Sequence, residues 1–229
     1  MRRDRPGRGG KDRNRPAEGG RAPERRPQRG GDAPAFRKAS ADLVILYGVH
    51  AVREALREKA RKLLALYATP AAAERIAPDA ALAGLQPQII DPADLDRRLG
   101  AGAVHQGLLL EARPLPERDL SEIENKSGIV LVLDQITDPH NVGAILRTAA
   151  AFAVDALIVT DRHAPDFSGV LAKTASGGLA HVPVVAVVNL ARAMEELGRM
   201  GYLRVGLDSE GAASLEDMVL SRPLALALG

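Results

Sequence analysis

The chain has 229 residues, 31 Lys+Arg against 29 Asp+Glu, and no cysteine, which leaves no disulfide framework, thiolate metal site or cysteine nucleophile. No apolar run approaches the roughly 20 residues of a membrane-spanning helix, and the basic N-terminus is not followed by the apolar core of a secretory signal; a soluble cytoplasmic protein is expected. The charge is unevenly placed: residues 1–38 hold 13 Lys+Arg against 5 Asp+Glu, and residues 39–229 hold 18 against 24.

Residues 1–38 are rich in Arg, Gly and Pro, with Phe36 as the one aromatic. They bury too little apolar area to offset the entropy of ordering, so disorder is expected. Two readings stand equal: an arm that gathers RNA phosphates, and a solubilising tail without a specific partner.

Residues 42–113 alternate short apolar runs with helical periodicity. Strands are expected at 43–46, 63–68, 88–90 and 107–112, and helices at 49–59, 71–76 and 92–99. In the first helix Val49, Val52 and Leu56 fall at helical spacing, with Arg53, Arg57 and Lys59 among the polar positions. Prolines and charges over 114–128 mark a linker.

From 129 onward the pattern is strand and helix in alternation: strands at 129–133, 156–160, 184–188, 203–207 and 224–228, helices at 139–152, 168–175, 190–200 and 215–220. Near-continuous apolar strands between helices indicate a mostly parallel sheet covered on both faces. The run ends on a strand with no helix after it, so an open edge and exposed apolar surface are expected.

The most informative stretch is 134–149, DQITDPHNVGAILRTA. A buried strand runs into a turn and then a helix that Asp138 can cap, with Pro139 suited to its first position. Asn141 lies in the first turn, where free backbone N–H groups and the positive dipole end face the loop. Arg147, six residues on and about 9 Å along the axis, can lean back towards the same loop. Gly143 allows a backbone or a ligand to approach closely. Ligands bind at such strand ends in open α/β sheets. By spacing alone, an ordinary capped helix with a solvated arginine carries about half the weight. His50, His105, His140, His163 and His181 show no zinc-type spacing and read as loop or capping residues. Lys173 reads as a solvated lysine before a phosphate contact, and Ser176-Gly177-Gly178 as a helix C-terminal turn before a phosphate loop.

The segment from Asn141 to Ala149 resembles motif 1 of the SpoU (TrmH-type) RNA ribose 2′-O-methyltransferases, N-x-G-x-x-x-R-x-A. Further matches are Tyr47-Gly48-Val49-His50-Ala51-Val52, His105-Gln106-Gly107, Lys173-Thr174-Ala175-Ser176-Gly177-Gly178 with Val182-Pro183, Asn189-Leu190, and the final run from Leu224 to Gly229. The resemblance covers about residues 42–229 and is nearest to the branch that methylates a guanosine ribose in large-subunit ribosomal RNA. It implies an α/β protein: a small L30e-like RNA-recognition domain (42–113), the linker (114–128) and a SPOUT-type parallel methyltransferase domain (129–229) whose family form holds a trefoil knot. It implies S-adenosylmethionine as cofactor, RNA as partner, a homodimer and no metal. Asn141 would orient the reacting ribose or Arg147, and Arg147 would sit at the 2′-hydroxyl and its phosphate. Members continue past the glycine matching Gly229 into a Glu-Gly-x-Gly loop and a Ser/Asn-containing helix that complete the cofactor pocket and the knot. Gly229 is therefore the one cofactor contact carried over, and weak S-adenosylmethionine binding by these residues is expected. The alternatives are a non-catalytic RNA-binding protein without the pocket, a transfer-RNA 2′-O-methyltransferase of the same family, and a nucleotide-binding α/β protein unrelated to RNA.

Overall fold

Two sheets, each wrapped by short helices, carry the described part of the chain. The computed structural model describes residues 36–37, 42–59, 61–100, 102–124, 128–162, 164–167, 169–211 and 213–229; the disorder expected for 1–35, His163 and part of the linker lie outside them.

The first sheet contains β1 (Val44–Tyr47), β2 (Leu63–Ala68), β3 (Pro87–Ile89) and β4 (Leu108–Ala112) in the order β1-β4-β2-β3. β4 is antiparallel to both neighbours, and β2 and β3 run parallel. All five residues of β4 are buried, because both faces of this strand are covered. Leu108 and Leu110 face the helices α1 (Val49–Arg57) and α2 (Pro70–Leu82), which supply Val52, Leu56, Ala72 and Ile76. Leu109 faces the other way, towards Leu95 of α3 (Pro92–Leu99) and Phe36.

α2 is twice as long as its periodicity suggests. Its run of alanines has high helix propensity but a weak apolar stripe, and Pro78 lies inside it. Asp79 of α2 is buried and accepts from Arg53 Nε at 3.1 Å and Arg57 Nε at 2.8 Å. Two of the cations on α1 are thus tied down inside the fold.

Phe36 and Arg37 belong to this sheet, which corrects the expected tail boundary at 38. Phe36 packs against Tyr67 with ring centroids 4.7 Å apart and planes tilted by 55°, and Arg98 lies over the Phe36 ring at 5.5 Å. The Arg37 N–H donates to the fully buried Glu111 at 3.1 Å, with the Arg98 guanidinium 3.7 Å from the same carboxylate. A carboxylate on a central strand needs such partners to remain buried. Burial and the adjacent Glu111 charge both hold the Tyr67 hydroxyl above its ordinary pKa.

The second sheet contains β5 (Ile129–Leu133), β6 (Ala156–Thr160), β7 (Val184–Val187), β8 (Leu203–Leu207) and β9 (Leu224–Leu228), all parallel, in the order β7-β6-β5-β9-β8. The last strand is internal, not an edge; the edges are β7 and β8. One face carries α4 (Pro139–Ala151), α5 (Gly169–Thr174) and α6 (Gly178–His181), and the other carries α7 (Leu190–Arg199). The helix expected at 168–175 is α5, and the short α6 follows it after a turn through Ser176 and Gly177 at positive φ. The helix expected at 215–220 is only a 3-10 turn at Leu215–Asp217. Nothing apolar repeats there at helical spacing against a partner, and Leu215, Met218, Val219 and Leu220 are exposed.

Residues 33–229 form one compact unit. Leu46, Val52 and Leu56 of the small sheet and α1 lie in the same buried cluster as Leu146 of α4 and Leu171 and Leu179 of α5 and α6. α4 meets these helices backbone to backbone. A Cβ on Gly143 would stand 3.0 Å from the Leu171 carbonyl and 2.7 Å from Thr174 Cβ, and one on Gly178 would stand 2.7 Å from the Leu146 carbonyl. The close approach at Gly143 is thus made by α5, not by a ligand. Gly178→Ala is expected to destabilise the protein by about 1–3 kcal/mol, as overpacking of a tight contact does, measured by chemical denaturation.

Candidate active site

β5 delivers the chain into the loop between Asp134 and Asp138 at the C-terminal end of the sheet. On one side of β5 lies β6, reached by the next connection; on the other lies β9, reached last. The strand order thus reverses about β5, and it is beyond the strand ends at such a reversal that open α/β sheets bind ligands. Asp134 N–H donates to the Leu228 carbonyl at 2.8 Å, and a Cβ on Gly229 would be 3.5 Å from the Asp134 carbonyl. Gly229 and the motif loop are therefore neighbours. The loop turns through Gln135 at φ 57, a left-handed conformation that costs a non-glycine residue about 1 kcal/mol or more and clusters at functional loops.

Asp138 caps α4 as its position suggests: its side chain accepts from the His140 N–H at 3.2 Å, and Pro139 opens the helix. Val142, Leu146 and Ala149 are buried with Gly143, while His140, Asn141 and Arg147 are exposed. At about 100° per residue, Arg147 is about 120° round the helix from Asn141 but only about 20° from His140. Motif spacing brings Asn141 and Arg147 onto one helix, not to one face. His140, which its sequence context marks only as a loop or capping residue, shares the Arg147 side. The signal that finds it is the seven-residue interval between them.

Arg147 has no hydrogen bond or ion pair among the described residues. A cation kept exposed and unpaired next to a strand-end crevice is available to an anionic ligand. Arg147→Ala is accordingly expected to leave the folding stability within about 0.5 kcal/mol of the wild type, followed by thermal or urea melting.

Of the other histidines, His105 Nε2 lies 3.1 Å from Asp96 while its Nδ1 accepts from the Gly107 N–H. His181 pairs with Glu54 at 3.2 Å, and His50 is exposed. Among the described residues no cluster of three or more His, Asp or Glu could hold a metal. No described helix is long and apolar enough to cross a membrane.

A cleft of about 470 Å³ lies elsewhere. The linker residues Leu115, Arg118 and Glu122 line it with Asp155 and His181, at the opposite end of the sheet from Asn141. Beside it Arg61 is buried with an unpaired Nη1, and burial holds its guanidinium below the ordinary value. At the motif end, the crevice lined by Leu133, Gln135, Ile136, Val159, Thr160 and Ala164 has about 0 Å³ of free interior. A cofactor of nucleoside size needs a pocket of roughly 300 Å³ or more, so these residues do not by themselves enclose S-adenosylmethionine. Titration calorimetry with S-adenosylmethionine is expected to give no micromolar binding; a micromolar Kd would overturn that expectation.

Comparisons with known proteins agree with the motifs. Residues 128–229 match the SpoU rRNA methylase family, and residues 45–118 match an RNA 2′-O ribose methyltransferase substrate-binding family. The chain is 35% identical over 194 residues to the 23S rRNA (guanosine-2′-O-)-methyltransferase RlmB of Vibrio parahaemolyticus, covering 80% of this chain and 78% of that protein. It is 37% identical over 135 residues to a putative TrmH family tRNA/rRNA methyltransferase of Staphylococcus haemolyticus, spanning about half of that protein (54%) and 56% of this chain. The SpoU methyltransferase AviRb of Streptomyces viridochromogenes, solved in complex with the cofactor AdoMet, superposes with a TM-score of 0.66 at 22% identity, over 82% of this chain and 73% of that one. A putative RNA methyltransferase of the TrmH family from Porphyromonas gingivalis superposes with the same score at 24% identity, over 81% and 71%. These two show likeness of fold.

Proposed function

This chain belongs to the SpoU methylase family, and from that premise we propose that it provides RNA recognition and the RNA-side half of the site for methyl transfer to a ribose 2′-hydroxyl. The target is a guanosine of large-subunit ribosomal RNA, and the protein works in the cytoplasm as a homodimer. The observation that carries the reading is Arg147: exposed, unpaired, and set on a capped helix at the switch point of a parallel sheet.

The chemistry asks for such a group. A ribose hydroxyl is a weak nucleophile, and negative charge develops on its oxygen as the proton leaves. A fixed guanidinium stabilises that charge and clamps the adjacent phosphate in bidentate fashion. Because a guanidinium does not give up its own proton in proteins, Arg147 is assigned to electrostatic stabilisation and positioning, not to proton abstraction. Asn141, in the first turn of α4, supplies an amide that orients the ribose. S-adenosylmethionine is the family's methyl donor. The described residues leave it no enclosed pocket, so they account for the RNA side of the transfer alone. Gly229 marks only where the strand end would border the donor.

The test is genetic and chemical. Deleting the gene is expected to remove one 2′-O-methylguanosine from large-subunit ribosomal RNA, with restoration by the wild-type gene and not by Arg147→Ala. An unchanged methylation map on deletion would refute the reading and favour a binding protein without transfer activity.

A further inference from the structure

Three segments distant in sequence meet where the small sheet abuts α5, and motif 1 supplies none of them. α1 starts at Gly48, whose φ is 87. A Cβ there would lie 3.3 Å from Gln106 Oε1 and 3.5 Å from Lys173 Cγ, so Gly48 admits both side chains against the backbone. Gln106 Oε1 accepts from the Val49 N–H at 2.9 Å. This fixes the amide orientation and leaves the two N–H bonds of Nε2 without a partner among the described residues. Gln106 itself stands at φ 54. Arg75 Nη2 donates to the Gln106 carbonyl at 3.3 Å, holding a second cation at the same loop. Lys173 lays its stem along Gly48 and has no ion pair among the described residues.

The result is a patch of donors and cations: the Gln106 amide N–H groups, the Lys173 ammonium and the Arg75 guanidinium. It is placed close to the site. Thr174, next to Lys173, packs against Gly143 of α4, two residues from Asn141. α5 and α4 are neighbours, at the usual interaxial distance of about 8–10 Å.

We infer that Gln106, Lys173 and Arg75 form an RNA-phosphate clamp that spans the recognition sheet and the methyltransferase sheet. This deepens the RNA reading above and rests on it. A phosphate held there touches α5 on one side and the recognition loops on the other, so one RNA strand crosses from the small sheet towards Arg147. Lys173 and Arg75 are positioning residues; they do not touch the reacting atoms.

The experiment is fluorescence anisotropy of a labelled single-stranded oligoribonucleotide with the full 229-residue chain, between about 50 and 200 mM salt. Each phosphate neutralised on a single strand contributes about −0.7 to the slope of log K against log salt. Lys173→Gln and Arg75→Gln are each expected to flatten the slope by about 0.7. Affinity should fall about eightfold at 50 mM and about threefold at 200 mM, if the contact vanishes near 1 M. Lys173→Arg keeps charge and stem and is expected to keep the slope. Gln106→Ala removes neutral donors and is expected to lower affinity without changing the slope. A merely structural role would shift the unfolding midpoint instead, which Lys173→Gln and Arg75→Gln are expected to leave in place. A wild-type slope in Lys173→Gln and Arg75→Gln would overturn the clamp and leave the RNA reading standing. Absence of salt-dependent RNA binding by the wild-type chain would overturn the RNA reading itself.

Discussion

Close contact between α4 and the α5–α6 segment is the constraint on which the rest depends. Interior packing tolerates little excess volume, and here the helices touch at Gly143 and Gly178, with room for no further carbon at either position. That contact turns the Leu146 side into the core and leaves Arg147 on its margin, exposed. It also holds α5 flat against α4, so that the opposite side of the α5–α6 segment can receive Gly48 and Glu54 of α1. A bulkier residue at either glycine would move Arg147 and Lys173 together. α4 and the small sheet are therefore joined through one packed layer.

Charge is distributed to match. The body of the chain is acidic overall, so RNA affinity cannot come from its mean field. It must come from local groups kept free of carboxylates. Several cations are not free: Arg53 and Arg57 are held by Asp79, and Arg98 is turned inward towards Glu111. Among the described residues, Arg147, Lys173 and Arg75 have no carboxylate partner. The buried pairs keep the other arginines from offering competing positions for a phosphate. The same physics that stabilises the small sheet thus narrows where RNA can lie.

Much of the fold was legible in the sequence because its strands are apolar runs of about five residues bounded by turns, and parallel strands buried on both faces have to read that way. Asp138-Pro139 announced the start of α4 by capping chemistry that depends on neighbouring residues alone. What was not legible depended on tertiary contacts. The length of α2 follows from its packing on β2 and α1, not from an apolar stripe. The place of Phe36 is set by Tyr67 and Arg98, which are far away in sequence. At the site, Asn141 and Arg147 were visible as a spacing, but their angular separation on the helix only becomes a constraint once the buried face is known. Lys173 was visible within a matched segment and as a candidate phosphate contact, but a lysine's role is decided by what its stem lies against, and Gly48 is far away in sequence.

The two halves of a methyl-transfer site make different demands. Holding a nucleoside cofactor requires an enclosed pocket, which is a matter of volume. Holding an RNA strand requires fixed cations along an open surface, which is a matter of spacing. Among the described residues the crevice beyond β5 and β6 is shallow, while Arg147 stands exposed and Lys173 half-buried on adjacent helices. Because α4 and α5 are locked together by the contact at Gly143, Arg147 and Lys173 are held on helices of fixed spacing. Preorganisation of this kind lowers the entropy lost when the ribose is brought into position.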